Sequence, residues 1–192
     1  MNAHEKISTP QGFISAYLHT GEGVEFVQLS EDPMHGYFRI PKKSILFERH
    51  TKNLIVTKAS QFMAKRMRPG TNWGNGITHL ELGSGVGTGT LQNPQPETIA
   101  QTNLREPFVR KPITSWTYLD SNKQPTASET NVIQLSTLFT EEEANGSIVE
   151  MGLFGGDATD TIGTGYMFNY KVFPVITKGN TMQLTIIWTL TF

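Results

Sequence analysis

The last twelve residues alternate almost without a break. Met182, Leu184, Ile186, Trp188, Leu190 and Phe192 fall on one side. Thr181, Gln183, Thr185, Thr189 and Thr191 fall on the other, with Ile187 the one exception. Period two over this length is the pattern of a half-buried antiparallel strand. Lys178-Gly179-Asn180 reads as a tight hairpin turn into it. The preceding segment, Tyr166–Thr177, reads as a long aromatic strand in which Pro174 marks an edge or a bulge. Further upstream, Ser147–Phe154, Val132–Phe139, Trp116–Leu119 and Ile77–Leu82 also read as strands. In Val132–Phe139 the residues Ile133, Leu135 and Phe139 share a face. Polar loops at Asp120–Ser128 and Gly155–Gly165 and the dipeptide Asn145-Gly146 separate these segments. Leu104–Ile113 is broken by Pro107 and Pro112, so a strand there is an edge strand. The sum is a mainly β chain, read as an antiparallel β-sandwich.

One segment changes period. Ala59, Phe62, Met63 and Met67 lie at helical spacing, which predicts one short helix over about residues 58–68. Thr57 stands at its N-cap position, and Pro69-Gly70 ends it. Its apolar stripe is expected to pack on the sheet. Residues 1–50 are less regular. Gly12–Leu18, Val24–Leu29 and Tyr37–Ile40 can be short strands, read either as an N-terminal arm or small β layer or as an edge of the main domain. The expected organisation is therefore an arm or small β subdomain at residues 1–50 and a sandwich domain at 51–192.

Composition sharpens the β reading and removes several chemistries. Thr occurs 24 times and Gly 18 times, while charged residues make up only 17% of the chain. Thr favours strands and Gly favours turns. There is no Cys, which removes disulfides, thiolate metal sites and Cys nucleophiles. The formal net charge of −1 argues against a protein that coats nucleic acid. No apolar run is long enough for a membrane helix, and residues 1–12 lack the apolar centre of a leader.

The few charges are segregated. Residues 39–68 carry nine Lys or Arg against one acid, Glu48, and residues 141–160 carry six acids and no base. The plain reading is two solvated faces. The functional reading is a pair of complementary patches meeting between neighbouring subunits. On that reading Lys42, Lys43, Arg49, Lys65, Arg66 and Arg68 face Glu141, Glu142, Glu143, Asp157 and Asp160.

The sharpest local motif is Glu81-Leu-Gly83-Ser-Gly85-Val-Gly87, after Ile77–Leu82. It resembles the first motif of Rossmann-like S-adenosylmethionine-dependent methyltransferases. That resemblance implies a cofactor cradle at Gly83, Gly85 and Gly87 with Glu81 beside it. A helix must follow such a motif, but Pro94 and Pro96 occupy the next stretch, and no βαβ alternation follows. A P-loop fails because no Lys-Ser or Lys-Thr follows the glycines. The five His never pair at metal-ligand spacing. Glu141-Glu142-Glu143 read as a solvated run, no Gly-x-Ser-x-Gly elbow occurs, and the basic stretch has no stacked aromatic platform.

An ordered set of short motifs beyond residue 50 carries a second resemblance. Asn53-Leu-Ile-Val-Thr57 precedes the helix. Gly87-Thr-Gly89 is followed by Pro94, and Leu104-Arg-Glu106 by Arg110 and Pro112-Ile113. Then come Ile148-Val-Glu150-Met-Gly152-Leu-Phe154, a glycine-rich loop, and Lys178 leading into Leu184, Ile186, Trp188, Leu190 and Phe192. Over residues 53–192 the chain looks like a group of small structural proteins encoded in the morphogenesis modules of tailed bacteriophages. Specificity lies in the order of the motifs.

The resemblance implies a virion component without catalysis or cofactor, assembled in the host cytoplasm and placed on the head, neck, tail or fibre base. The leading expectation is a capsid decoration, or cement, protein; the second is a neck, tail or fibre-base adaptor. Partners would be other virion proteins, the major capsid protein or tail and neck proteins, and further copies of the chain in a homo-oligomer such as a trimer, with no membrane and no specific nucleic acid. Residues 1–50 match nothing in that group and are expected to hold the attachment function. The readings from other classes are the methyltransferase and a glycan-binding β-sandwich module. The structure of residues 89–103 separates enzyme from virion protein, since only the enzyme needs a helix there.

Overall fold

The computed structural model describes residues 11–67 and 75–192. Its strands are β1 (Gln11–His19), β2 (Glu25–Gln28), β3 (Gly36–Arg39), β4 (Ile45–Lys52), β5 (Leu54–Ile55), β6 (Asn75–Gly83) and β7 (Pro107–Pro112). They continue as β8 (Ser115–Leu119), β9 (Pro125–Thr126), β10 (Val132–Phe139), β11 (Gly146–Gly156), β12 (Tyr166–Lys178) and β13 (Gln183–Thr191). A single α-helix, α1 (Thr57–Met67), and a 3-10 turn at Lys42–Ser44 complete the described elements. Two antiparallel sheets carry the fold, in the orders β4-β1-β13-β10-β8-β9 and β5-β12-β11-β6-β7, and β2 pairs with β3 in a separate hairpin. This is the β-sandwich that the alternation predicts.

The terminal strand is central because both of its neighbours read the same period. Leu190, Trp188, Ile186 and Leu184 lie opposite Gly12, Ile14, Ala16 and Leu18 of β1. On the other side they lie opposite Ile133, Leu135, Thr137 and Phe139 of β10. Ile14, Trp188 and Leu190 are 1% exposed. They join Leu80, Leu82, Met151, Leu153, Phe168 and Ile176 of the second sheet in one core. Ala59 and Phe62 bring the stripe of α1 into the same core, as its spacing predicts. Helical geometry begins at Thr57 itself, one position earlier than its reading as the cap. Arg68, the last residue of the helix expected from the sequence, lies outside the described residues, as do Pro69 and Gly70.

The division at residue 50 is corrected for the residues described. β1 pairs along its whole length with β13, and β4 pairs with β1 from the other side. Residues 11–19 and 45–52 therefore belong to the larger sheet, and residue 50 falls inside β4. Only the β2–β3 hairpin forms a separate small sheet, joined to β8 by the His35–Trp116 bridge, and residues 1–10 lie outside the described part. The physical reason is the alternation Ile14, Ala16, Leu18, which buries one face of β1 against the second sheet.

Pro174 sits where β12 bulges. Ile176 faces Ile148 and Val172 faces Glu150, so four positions of β12 span two of β11. A proline cannot donate to the ladder, and a bulge removes the demand.

The second sheet is buried on both faces. Val56, Leu104, Val149, Phe154, Met167, Tyr170 and Val172 form a second apolar cluster. The segment 84–106, which has no helix or strand, contributes Leu104 and Val86 to it.

Candidate functional site

The glycine motif begins at the end of β6, where the chain leaves the sheet. Glu150 of β11 lies opposite Gly83. It is fully buried, and it gathers the returning loop. Its Oε1 accepts from the amides of Gly85 at 3.2 Å and Glu106 at 2.8 Å. Its Oε2 accepts from the Arg105 amide at 3.0 Å and from the Tyr170 hydroxyl. Burial and the adjacent carboxylate push the Tyr170 phenol far upward. A Cβ on Gly85 would come within 2.5 Å of the Arg105 Cβ and 2.6 Å of Glu150 Oε1, so only glycine lets the two arms of the loop close over the carboxylate.

Further bonds fix the loop. The Gln95 side chain accepts from the Thr88 amide at 3.1 Å. The Arg105 guanidinium donates to the carbonyls of Gln95 at 2.7 Å and Pro96 at 2.8 Å. The glycine segment is thus an anchor for the chain itself. β6 runs antiparallel to both β11 and β7, and no helix follows it between residues 84 and 106. The cofactor cradle drawn from Glu81, Gly83, Gly85 and Gly87 does not fit this geometry.

Glu81 anchors a second loop. Its Oε2 accepts from Arg110 Nη1 at 3.0 Å and from the Gly163 amide at 3.1 Å. Arg110 reaches on to the carbonyls of Thr161 at 2.9 Å and Thr164 at 2.8 Å. Its guanidinium carbon lies 4.6 Å from the centre of the Phe154 ring. The two ionic side chains are 1% and 0% exposed. Burial pushes the Glu81 carboxyl up, against the pull of Gly163 and Arg110, and pushes Arg110 down. Lys178 closes the other end of the sandwich. It is 2% exposed, and its Nζ donates to the Glu141 carbonyl at 3.1 Å and Asn145 Oδ1 at 2.9 Å.

The segregated charges are partly spent inside the chain. Lys43 pairs with Glu22 at 3.0 Å in full exposure. Arg49 turns inward, donates to the Pro174 carbonyl and lies 5.9 Å from the centre of the Phe173 ring. Arg66 stands above the Phe62 ring. The side chain of Lys65, and all of Arg68, lie outside the described residues. Glu141 accepts from Gln183 Nε2 at 2.9 Å, and Glu143 pairs with Lys111. Asp160 meets His79 at 3.3 Å. Lys42, Glu142 and Asp157 are exposed. The acids at 141–143 thus find Lys111 and Gln183, which belong to neither patch.

Sequence reading missed the buried ionic anchors as a group: Glu150 with three amides, Glu81 with Arg110, and Lys178. One signal was present. Glu150 interrupts the apolar run Ile148–Phe154, and an ionisable residue there demands buried partners. Among the described residues no group of three His, Asp or Glu is placed to hold a metal ion. No described helix is long and apolar enough to cross a membrane. No family model matches the chain, and no curated protein matches it.

Proposed function

We propose that the chain is a non-enzymatic structural protein of a tailed-bacteriophage virion, and within that class a capsid decoration protein. It would act as an oligomer, a trimer by expectation, bound to the major capsid protein. The observation that carries the proposal is what the motif residues do. Leu104-Arg105-Glu106 and Glu150 form one loop anchor, Arg110 forms the second with Glu81, and Lys178 ties the β10–β11 turn to the end of β12. The ordered motifs that resemble virion proteins are therefore joints of the fold. Glu150, Arg105, Arg110 and Lys178 each bond backbone groups of a loop, which supports a role in shape and assembly.

The test is to purify particles from the source of the gene, measure the copy number by mass spectrometry and locate the chain by electron cryo-microscopy. Density distributed over the capsid lattice is the expected result. Density confined to the neck or tail replaces decoration with the adaptor role. Absence from purified particles refutes the virion assignment altogether.

A further inference from the structure

A cavity of about 670 Å³ opens between the two sheets beside α1. We propose that it is a binding site for a small, ring-bearing apolar molecule with one polar group. This goes beyond the virion role and does not depend on it.

The walls come from three directions. β10 supplies Ile133 and Leu135, β13 supplies Leu190, β12 supplies Phe168, and α1 supplies Phe62 and Met63. Leu135, Leu190, Phe168 and Phe62 are 1–6% exposed. Ile133 and Met63, which belong to the same core, remain only half-buried. Interiors are close-packed, and inward-facing apolar side chains left in contact with water keep the hydrophobic cost that packing removes elsewhere. A volume of this size lies within the ordinary range of small-molecule pockets, about 300–1,000 Å³.

The chemistry of the lining selects the ligand. Rings line the cavity at Phe62, Phe168 and Trp116, and they favour a flat partner through edge and stacked contacts. The polar side chains of the lining include the His79–Asp160 pair and Arg66, which lies over the Phe62 ring. His79 Nε2 lies 3.3 Å from Asp160 Oδ1. A bound molecule would lay its apolar body between the sheets and turn its polar group toward the His79–Asp160 pair, the usual division of labour in such pockets.

The probe is 1-anilinonaphthalene-8-sulfonate, titrated by fluorescence against the full chain. Saturable binding at one site per chain is expected. Ile133→Trp and Met63→Trp, which fill the cavity from opposite walls, should each weaken binding by at least about tenfold. Phe13→Ser, which changes an exposed ring on another surface, should leave it unchanged. Methyl NMR of the unmodified protein, which does not depend on the variants folding, should show probe-induced shifts at Ile133, Leu135 and Leu190. The proposal is overturned if the folded protein shows no saturable binding. It is equally overturned if folded cavity-filled variants bind as tightly as the parent, or if the shifted methyl groups lie away from these walls.

Discussion

Replacing Glu150 tests whether one buried carboxylate holds the long loop on the second sheet. Glu150→Ala removes the acceptor of three backbone amides and one phenol, at distances between 2.8 and 3.2 Å for the amides. An unsatisfied buried donor costs about 1–3 kcal/mol. The Gly85 amide and the Tyr170 hydroxyl are buried, whereas those of Arg105 and Glu106 are partly buried and regain water more easily. Two full penalties and two reduced ones give a loss of about 3–5 kcal/mol. The upper bound is set by the loop itself, because peeling away from the sheet rehydrates all four donors at the expense of Leu104 and Val86 packing.

Glu150→Gln is the sharper variant, since it keeps the shape. Its amide nitrogen must face donors on one side. Turned toward Gly85 and Glu106 it orphans two amides. Turned toward Arg105 and Tyr170 it orphans one, because the phenol can rotate to accept. The second orientation wins, and the cost falls to about 1–3 kcal/mol. Urea denaturation gives the totals, and amide hydrogen exchange gives the location. In both variants the amides of Gly85, Arg105 and Glu106 should lose protection well beyond the loss at Leu184, Ile186 and Trp188 of β13. A Glu150→Ala variant within about 1 kcal/mol of the parent refutes the anchor. So does one whose loop amides exchange in step with β13.

The remaining predictions concern the core, pH, β1 and the charges. Trp188→Ala should cost about 3–5 kcal/mol in urea denaturation, because the indole lies wholly inside the core, and a loss below about 1 kcal/mol would contradict its placement. Burial holds the pKa of His19 and of His79 below the ordinary imidazole value. His19 Nδ1 accepts from the Gly21 amide, so the neutral ring carries its proton on Nε2, toward Thr185. The unfolded chain then binds more protons as pH falls through about 6.5, so stability should be lower at acid than at neutral pH, and a flat or inverted profile between those conditions would contradict both assignments. Deleting residues 1–20 removes β1 and should abolish cooperative unfolding in circular dichroism, and a cooperative transition in that variant would contradict the β1–β13 pairing. Neutralising Lys42, Lys43 and Glu142 should leave the melting temperature unchanged, because exposed pairs contribute about 0–1 kcal/mol. If the patches orient the chain on a particle, the same variant should make attachment more sensitive to salt.

Period-two strands were legible because one face meets the core and the other meets polar side chains or water. β13 and β10 show this directly. β11 hides its period, since Val149 and Phe154 are covered by the second apolar cluster while Ile148 and Met151 enter the main core. A strand buried on both faces reads as a continuous apolar run, and only Glu150 betrays the polar joint within it. β1 was visible as a segment but not as the neighbour of β13, because its partner stands more than 160 residues away in the chain. Glu81 and Arg110 were legible only as a motif acid and a motif base. Their pairing follows from β6–β7 register, where they lie directly opposite each other. The charge patches were legible as composition, but local geometry gave Glu143 to Lys111 and Arg49 to Pro174.

This distribution of polar groups limits where a neighbouring protein can dock. The outer face of the second sheet is already covered by residues 84–106, and the Glu150 carboxylate beneath that cover has its donors. Among the described residues, the outer face of the first sheet has no such cover along β1, where Phe13 is 42% exposed and Ser15 and Tyr17 are half-buried. Its edge is β4, which has no further strand beside it among the described residues. Glu48, Arg49, His50 and Lys52 place ionisable groups along that edge, and charge on an edge strand opposes unselective pairing with other chains. A partner that adds a strand there would have to satisfy those charges, while a partner that lies on the β1 face meets rings and hydroxyls. Under the proposed assembly role, the second arrangement would separate the two tasks. The inner face and buried anchors maintain the sandwich, and the β1 face remains available for contact without disturbing either core.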